Sequence, residues 1–444
     1  MTGAMYAAIA GLRTHMQTLN VIGNNVANVN TNGYKASRAV FKTSLYTTIT
    51  GGSNGTAVKG GTNPSQIGYG ANVSTVDIDM STGNYTVTGK STDLMLDGDG
   101  FFLVGGKDIA ETFRGDAEDV SRLTSLYLTR VGNFEFKADG YFANNDGNCV
   151  YGFQCVGKWG SKEYPLYYTN EQGQYTDAAG TVLTDQTKPV LRANVPAGAK
   201  EGDPVFSDQL VPIRFPQVKS ETVWYEKQTD GSLKKLENAP DTTATGYNAD
   251  NYTTKEEMTI VYPTADKAGI HSVSEDGKEL PMGQFQLITV DQNTGLITGV
   301  SNETKEVVTI GCVAVGVVTN PNGVTSMGDN YFKASNGSGD LTVAVLGGNA
   351  EAMNISQINA SLFDNGAAAD PNNPNATTTV PAIDGLRPRT GGETKMLSNG
   401  LEMSKTDLAQ EIANMILTQR GYQANTRIIT VTDSMLEELV NMKR

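Results

Sequence analysis

At 444 residues the chain has mass enough for about two to four domains with real cores. A formal charge of −14 without any basic cluster argues against nucleic acid, because neutralising phosphates takes Lys and Arg in groups. No apolar run approaches the ~18–20 residues that span a bilayer, and the N-terminus lacks a basic-led apolar stretch with a small-residue cleavage site. Membrane insertion is therefore not expected, and export would have to proceed without a cleaved signal peptide.

The first predicted element is a helix over residues 3–28. Met5, Leu12, Leu19 and Val26 recur every seven positions, with Ile9 and Met16 between them and Ile22 beside Gly23. Ala4, Ala7, Ala8 and Ala10 favour helix. No Asp or Glu precedes Asp77, and up to Asn32 the only charged residue is Arg13. A solvated helix normally carries Lys and Glu pairs, so a neutral polar face points to burial against protein. That cover could come from the chain's own domain or from other copies. The helix ends in Asn24-Asn25-Val26-Ala27-Asn28-Val29-Asn30-Thr31-Asn32-Gly33-Tyr34-Lys35. Asn and Gly tolerate left-handed backbone, and the amides satisfy freed backbone groups, so this run reads as a terminator leading into an extended arm.

This run resembles the signature of bacterial flagellar rod and hook proteins, in which a terminal helix is followed by N-N-x-A-N-x-N-T-x-G-[YF]-K. Asn24, Asn25, Ala27, Asn28, Asn30, Thr31, Gly33, Tyr34 and Lys35 match it without a break. Residues 36–75, rich in Gly, Thr, Asn and Ser, read as a connector. Within them Gly60-Gly61-Thr62-Asn63-Pro64-Ser65-Gln66-Ile67-Gly68-Tyr69-Gly70 resembles a segment of the hook branch rather than of the shorter rod branch.

Leu94/Leu96 and Phe102/Val104 alternate as half-buried strands, and Asp97-Gly98-Asp99-Gly100 reads as the hairpin turn joining them. Calcium is a poorer reading of that turn, since the later ligands and closing Glu of an EF-hand loop are missing. These blocks and Thr129-Arg130-Val131-Gly132-Asn133-Phe134 are similar to the family's β-domain entry. Asn144-Asn145-Asp146-Gly147 and Asp291-Gln292-Asn293-Thr294-Gly295 read as further turns. Residues 151–311 gather proline, acids and aromatics (Trp159, Tyr164, Tyr167, Tyr168, Trp224, Tyr225, Tyr252, Tyr262), and read as an inserted all-β domain. Short strands are expected at Val211–Phe215, Glu221–Tyr225, Met258–Tyr262 and Gln284–Val290. The aromatics could line a sugar groove, but their scattered spacing fits core and surface roles better. Thr309–Val318 alternates again, and Asn320–Phe332 resembles the family's return block. Residues 361–394, rich in Asn, Pro, Ala, Thr and Gly, are expected to be mobile.

From Ser404 to Arg444 there is no Pro and only one Gly, Gly421. Leu401, Leu408, Met415, Tyr422, Ile429 and Leu436 recur every seven positions, flanked by Ile412, Ile416, Ile428, Met435, Leu439 and Val440. A long amphipathic helix with a coiled-coil seam follows, opening on a Ser404–Asp407 capping box. Its assembly seam would comprise Leu408, Ile412, Met415, Tyr422, Ile429 and Leu436 against Met5, Ile9, Leu12, Met16, Leu19 and Val26. The family's C-terminal signature is similar, save at Gly421.

Three cysteines, Cys149, Cys155 and Cys312, imply no disulfide framework and are read as buried thiols. His15 and His271 have no partners at ligand spacing. No catalytic, cofactor-binding or metal-binding residues are assigned, and no enzyme activity is expected.

The expected fold is mainly β with a terminal α-helical coiled-coil pair, as a nested multidomain chain. Residues 1–35 and 400–444 form the helical domain, 36–75 and 386–399 the connector, 76–150 and 312–385 a first β-domain, and 151–311 the outer insert. The resemblance implies a hollow helical homopolymer coupling rod to filament. Its implied partners are other copies of the chain, the distal rod protein, the hook cap, the hook–filament junction protein and the flagellar type III export apparatus. A rod subunit is the nearest alternative, and a glycan-binding surface protein a more distant one.

Overall fold

The computed structural model describes residues 2–55, 59–107, 126–158, 168–169, 175–176, 202, 204–206, 210–228, 233–236, 251–266, 269–271, 280–339, 341–345 and 394–442. The chain forms two compact units. One comprises Met1–Tyr85 with Glu402–Arg444, the other Thr86–Leu401.

In the first unit, helix α1 spans Thr2–Ala27 and helix α2 spans Leu408–Asn441. At about 1.5 Å per residue, α2 is a rod of roughly 50 Å. It starts later than the expected capping box. Asp407 is the N-cap, its carboxylate accepting from the amides of Ala409 and Gln410 at 3.0 and 3.2 Å, whereas the Ser404 hydroxyl bonds Thr406. An anionic cap facing exposed amides is favoured by both hydrogen bonding and the helix dipole.

The segment expected to be a connector carries paired strands instead. Ser37–Thr43 pairs antiparallel with Ala71–Ile78, and Tyr46–Thr50 with Ser65–Gly68. Their sequence lacks alternation because the second ribbon is exposed along its whole length, so no core imposes a period of two. Helix α1 packs on the first ribbon and on α2.

The second unit is built on one large antiparallel sheet. Its strands run in the order Phe285–Val290, Leu296–Ser301, Val307–Val318, Cys149–Lys158, Phe101–Gly105, Tyr127–Thr129, Tyr331–Lys333, Thr325–Gly328. Leu94, Phe102, Phe134, Phe142, Val150, Ile213, Ile297, Val313 and Met396 belong to one core cluster. The expected insert boundaries at 151 and 311 fall inside the strands Cys149–Lys158 and Val307–Val318, which run through without a break. Val150 and Val313 therefore share a core with Ile213 and Ile297 of the expected insert. Residues 217–227 and 252–261 form a separate ribbon, extended by Leu233–Lys235.

The Asp97–Gly100 stretch is not a hairpin. Leu94–Asp97 pairs with Lys395–Ser398, while Phe101–Gly105 pairs with three other strands. Gly98 and Gly100 take φ of +121° and +124°, which side chains resist, so the chain changes partners there. Arg130 fastens the crossing, its guanidinium donating to the carbonyls of Leu96 at 3.2 Å and Gly98 at 2.7 Å. Both strands are buried on both faces rather than half-buried. The turns at 144–147 and 291–295 form as expected. Asn144 Oδ1 caps the amides of Asp146 and Asn148, and Asp291 Oδ1 those of Asn293 and Thr294.

Cys149, Cys155 and Cys312 are free and buried. Burial pushes the Cys149 thiol up to about 11 and that of Cys155 up to about 12, and raises Cys312 further. Trp159, Tyr164, Tyr167 and residues 361–393 lie outside the described residues. Trp224, Tyr225 and Tyr252 sit half-buried on the separate ribbon.

Candidate assembly interface at the chain ends

Asn25, one residue pair into the Asn-rich run, is buried and uses its full hydrogen-bonding capacity. Its Nδ2 donates to the Ser37 carbonyl at 2.7 Å and to Glu411 Oε1 at 3.0 Å. Its Oδ1 accepts from the Ser37 amide at 2.9 Å and from the Tyr34 hydroxyl at 3.0 Å. Asn24 donates to the same hydroxyl, and Asn28 accepts from Thr31 while donating back to the Asn24 carbonyl. Burial pushes the Tyr34 phenol up, and the nearby Glu411 carboxylate adds to this. Gly33, at φ +67°, turns its amide onto the Glu402 carbonyl at 2.8 Å.

The run closes on an ion pair. Lys35 Nζ lies 2.6 Å from Glu402 Oε1, with both side chains 1% exposed. Lys35 also donates to the Ser81 carbonyl at 2.7 Å, and Glu402 Oε1 accepts from the Gly83 amide at 2.6 Å. A pair this deep stabilises only when such extra bonds offset desolvation. Asn25, Gly33, Tyr34 and Lys35 thus join the end of α1 to the segment returning towards α2, while Asn24, Asn28 and Thr31 bond within the run; Ala27 and Asn30 are exposed.

The helices run antiparallel, as three contacts at one register show. Asn25 meets Glu411, His15 covers Gly421, and Gly11 faces Asn425. The last two form a reciprocal fit. A Cβ on Gly421 would lie 2.7 Å from the His15 ring, and one on Gly11 would lie 2.6 Å from the Asn425 amide. Each glycine seats the larger side chain four residues beyond the other helix's glycine, and Gly421 is explained by close packing. Thr14, Thr418 and Thr432 are buried on the helices, their hydroxyls donating to carbonyls four residues earlier. Backbone carbonyls satisfy those hydroxyls, so burying them costs little.

This polar inner seam displaces part of the expected apolar one. Met5, Ile9, Leu12, Leu19, Val26, Met415, Ile429 and Leu436 are half-buried. Met16, Leu408, Ile412 and Tyr422 are exposed, at 51, 43, 46 and 39%. Ile416, Leu417, Ile428, Val431, Met435, Leu439, Val440 and Met442 are exposed with them. Helices brought close by glycine and threonine leave the larger side chains to splay aside. The helix pair closes on a mixed seam, in which Ala8 and Ile22 are buried beside Thr14, Asn25, Thr418 and Thr432, and it leaves many large apolar side chains exposed. So many exposed large apolar side chains on one helix mark a surface suited to interaction.

Sequence reasoning missed Glu402, Glu411 and the His15–Gly421 and Gly11–Asn425 seats. A lysine ending an uncharged run hints at a buried partner, but nothing local says the carboxylate lies 367 positions away. Among the described residues no group of His, Cys, Asp or Glu could hold a metal ion, and no helix is long and apolar enough to cross a membrane.

The two chain ends are tied together as an antiparallel helix pair that leaves many large apolar side chains exposed. Residues 5–35 match the family described as flagella basal body rod protein, and residues 397–442 match the flagellar basal body rod FlgEFG protein C-terminal family. Across all of both chains it is 25% identical to the flagellar hook protein FlgE of Borreliella burgdorferi and 26% identical to the flagellar basal-body rod protein FlgG of Bacillus subtilis. With the hook protein FlgE of Salmonella typhimurium it shares 25% identity over 98% of this chain and 99% of that one. Its two ends thus match families of the flagellar basal body rod, and the relatives it resembles along its whole length are hook and rod proteins of the bacterial flagellum.

Proposed function

We propose that the chain is the structural subunit of the flagellar hook, polymerising into a curved, flexible tube that transmits torque from rod to filament. The observation that carries this reading is the inverted helix pair, whose outward apolar stripe needs further copies to cover it. Contacts that repeat head to tail without closing generate helical tubes. In this reading the seam residues are assembly residues: Met5, Ile9, Leu12, Leu19 and Val26 anchor α1, while Leu408, Ile412 and Tyr422 face neighbouring subunits. The Asn24–Lys35 motif fixes the angle at which the arm leaves the helix pair. The work is mechanical, with no enzymatic step. The remaining partners are the distal rod protein, the hook cap, the hook–filament junction protein and the type III export apparatus. The subunit ends outside the cell, exported without a cleaved signal peptide.

Leu408→Asp is expected to abolish tubes while leaving the second unit folded. Full-length hooks in cells carrying that variant would overturn the reading. Deleting residues 219–260, which removes most of the separate ribbon and leaves the shared core in place, should preserve export and alter bending, and lost secretion would count against it. The match to a rod protein over its whole length favours a second reading, a distal rod subunit. Electron microscopy of polymers from the full chain separates them, since a rod is straight and a hook curves.

A further inference from the structure

Arg13 is the one Lys, Arg, Asp or Glu in α1. With Tyr6, Ile9, Ala10, Tyr69 and Asn72 it lines a pocket of about 320 Å³. Tyr6, Ile9, Ala10 and Arg13 share one face of the helix by their spacing, and Tyr6 is 66% exposed. Among the described residues Arg13 has no ion-pair partner. A groove of aromatic, aliphatic and guanidinium groups is thus open on a helix that is otherwise uncharged.

The complementary chemistry sits at the far end of α2. Val431, Met435, Glu438 and Met442 share one face by their spacing, and the three apolar ones are exposed. Asp433 and Glu437 flank them, and none of the three carboxylates has an ion-pair partner among the described residues. Within one subunit the two ends do not meet. The antiparallel register sets Arg13 level with residue 423, fifteen positions from Glu438, or roughly 22 Å along the helix.

We propose that the Arg13 pocket receives the acidic end of α2 from a second copy of the chain, Met435 entering between the tyrosines and Glu438 pairing with Arg13. This rests on the reading of the chain as a self-assembling subunit and specifies one of its contacts. The contact joins two different surfaces, so it repeats without closing. The charge pair fixes which copy docks and at what axial offset, as complementary charges do at interfaces.

The test is polymerisation of the full chain, read as critical concentration. Arg13→Glu and Glu438→Arg are each expected to raise it about tenfold, a change of about 1.4 kcal/mol. The chain carrying both should return to within about threefold of wild type, yet fail to grow from wild-type seeds. Unchanged assembly in either single variant, or losses that add in the double variant, would overturn the proposal. Capture of an acidic segment of another protein with polymerisation unaffected would also overturn it. Ile412→Asp separates the levels. If it blocks tubes while Arg13→Glu does not, the pocket contact fails and the subunit reading stands. If Ile412→Asp also polymerises normally, the subunit reading fails as well.

Discussion

The two units solve burial in opposite ways. The second closes apolar side chains inwards, with Leu94, Phe102, Phe134, Phe142 and Ile297 fully enclosed. The first closes a largely polar set inwards, with Asn25, Thr14, Thr418, Lys35 and Glu402 buried beside Ala8 and Ile22, while Ile412, Ile428 and Met435 are exposed. The second therefore holds its hydrophobic driving force within one chain. In the first, many large apolar side chains stay exposed, and under the proposed function that force would be realised when another copy arrives.

Breaking that contrast should be easiest on the outer stripe. The Ile412→Asp, Ile428→Asp double variant is expected to lose polymerisation altogether, with the monomer's unfolding midpoint unchanged in a thermal melt. Reduced monomer stability would mean that the stripe is already covered within the chain.

Next in size are the two buried cores. Phe102→Ala should cost about 3–5 kcal/mol in chemical unfolding of the second unit, through lost contacts and a cavity. Lys35→Met should cost a similar ~3–5 kcal/mol in the first, because it leaves the Glu402 carboxylate buried without its cation. Replacing both, as Lys35→Met with Glu402→Leu, should recover much of that loss. A double variant as damaged as the sum of the singles would show that the polar bonds to Ser81 and Gly83 matter more than the ion pair.

A smaller effect is expected at the helix crossing. Gly421→Ala gains about 1 kcal/mol of helix propensity, but its Cβ would sit 2.7 Å from the His15 ring. Overpacking of that kind costs about 1–3 kcal/mol, so net destabilisation of the helix pair is expected by circular dichroism. His15→Ala in the same chain should reverse the sign.

The smallest effect concerns the thiols. Cys149 ionises from the ordinary 9.0 when unfolded but only at about 11 when folded. Above the unfolded value the unfolded chain holds fewer protons, so stability falls as pH rises from about 9 to 11. Below pH 9 the thiols should leave stability flat, and alkylation should be slow until denaturant opens the second unit. Rapid alkylation at pH 8 in the native protein would contradict their burial.

Legibility followed the range of the forces involved. Helix α1 was readable because period and alanine content are local, and the Asn24–Lys35 run because helix termination is local too. The Asp97–Gly100 stretch misled, since a tight Gly-rich turn looks the same whether its strands pair with each other or part. Only pairing with Lys395–Ser398, some 300 residues on, decides between them. The ribbon of residues 46–50 and 65–68 was invisible to periodicity, because a two-sided exposed strand has no face to pattern.

By itself the sequence determined that a helix stands at each end of the chain, that the first is almost uncharged, and which family motif follows it, since each depends on residues within a few turns of one another. Tertiary structure alone decided which stripe closes inwards. That choice rests on two glycines, Gly11 and Gly421, finding larger partners across an antiparallel crossing, and on Lys35 meeting Glu402. Those contacts join the first and last tenths of the chain, and no local preference can specify a distance in space that the intervening fold has to set.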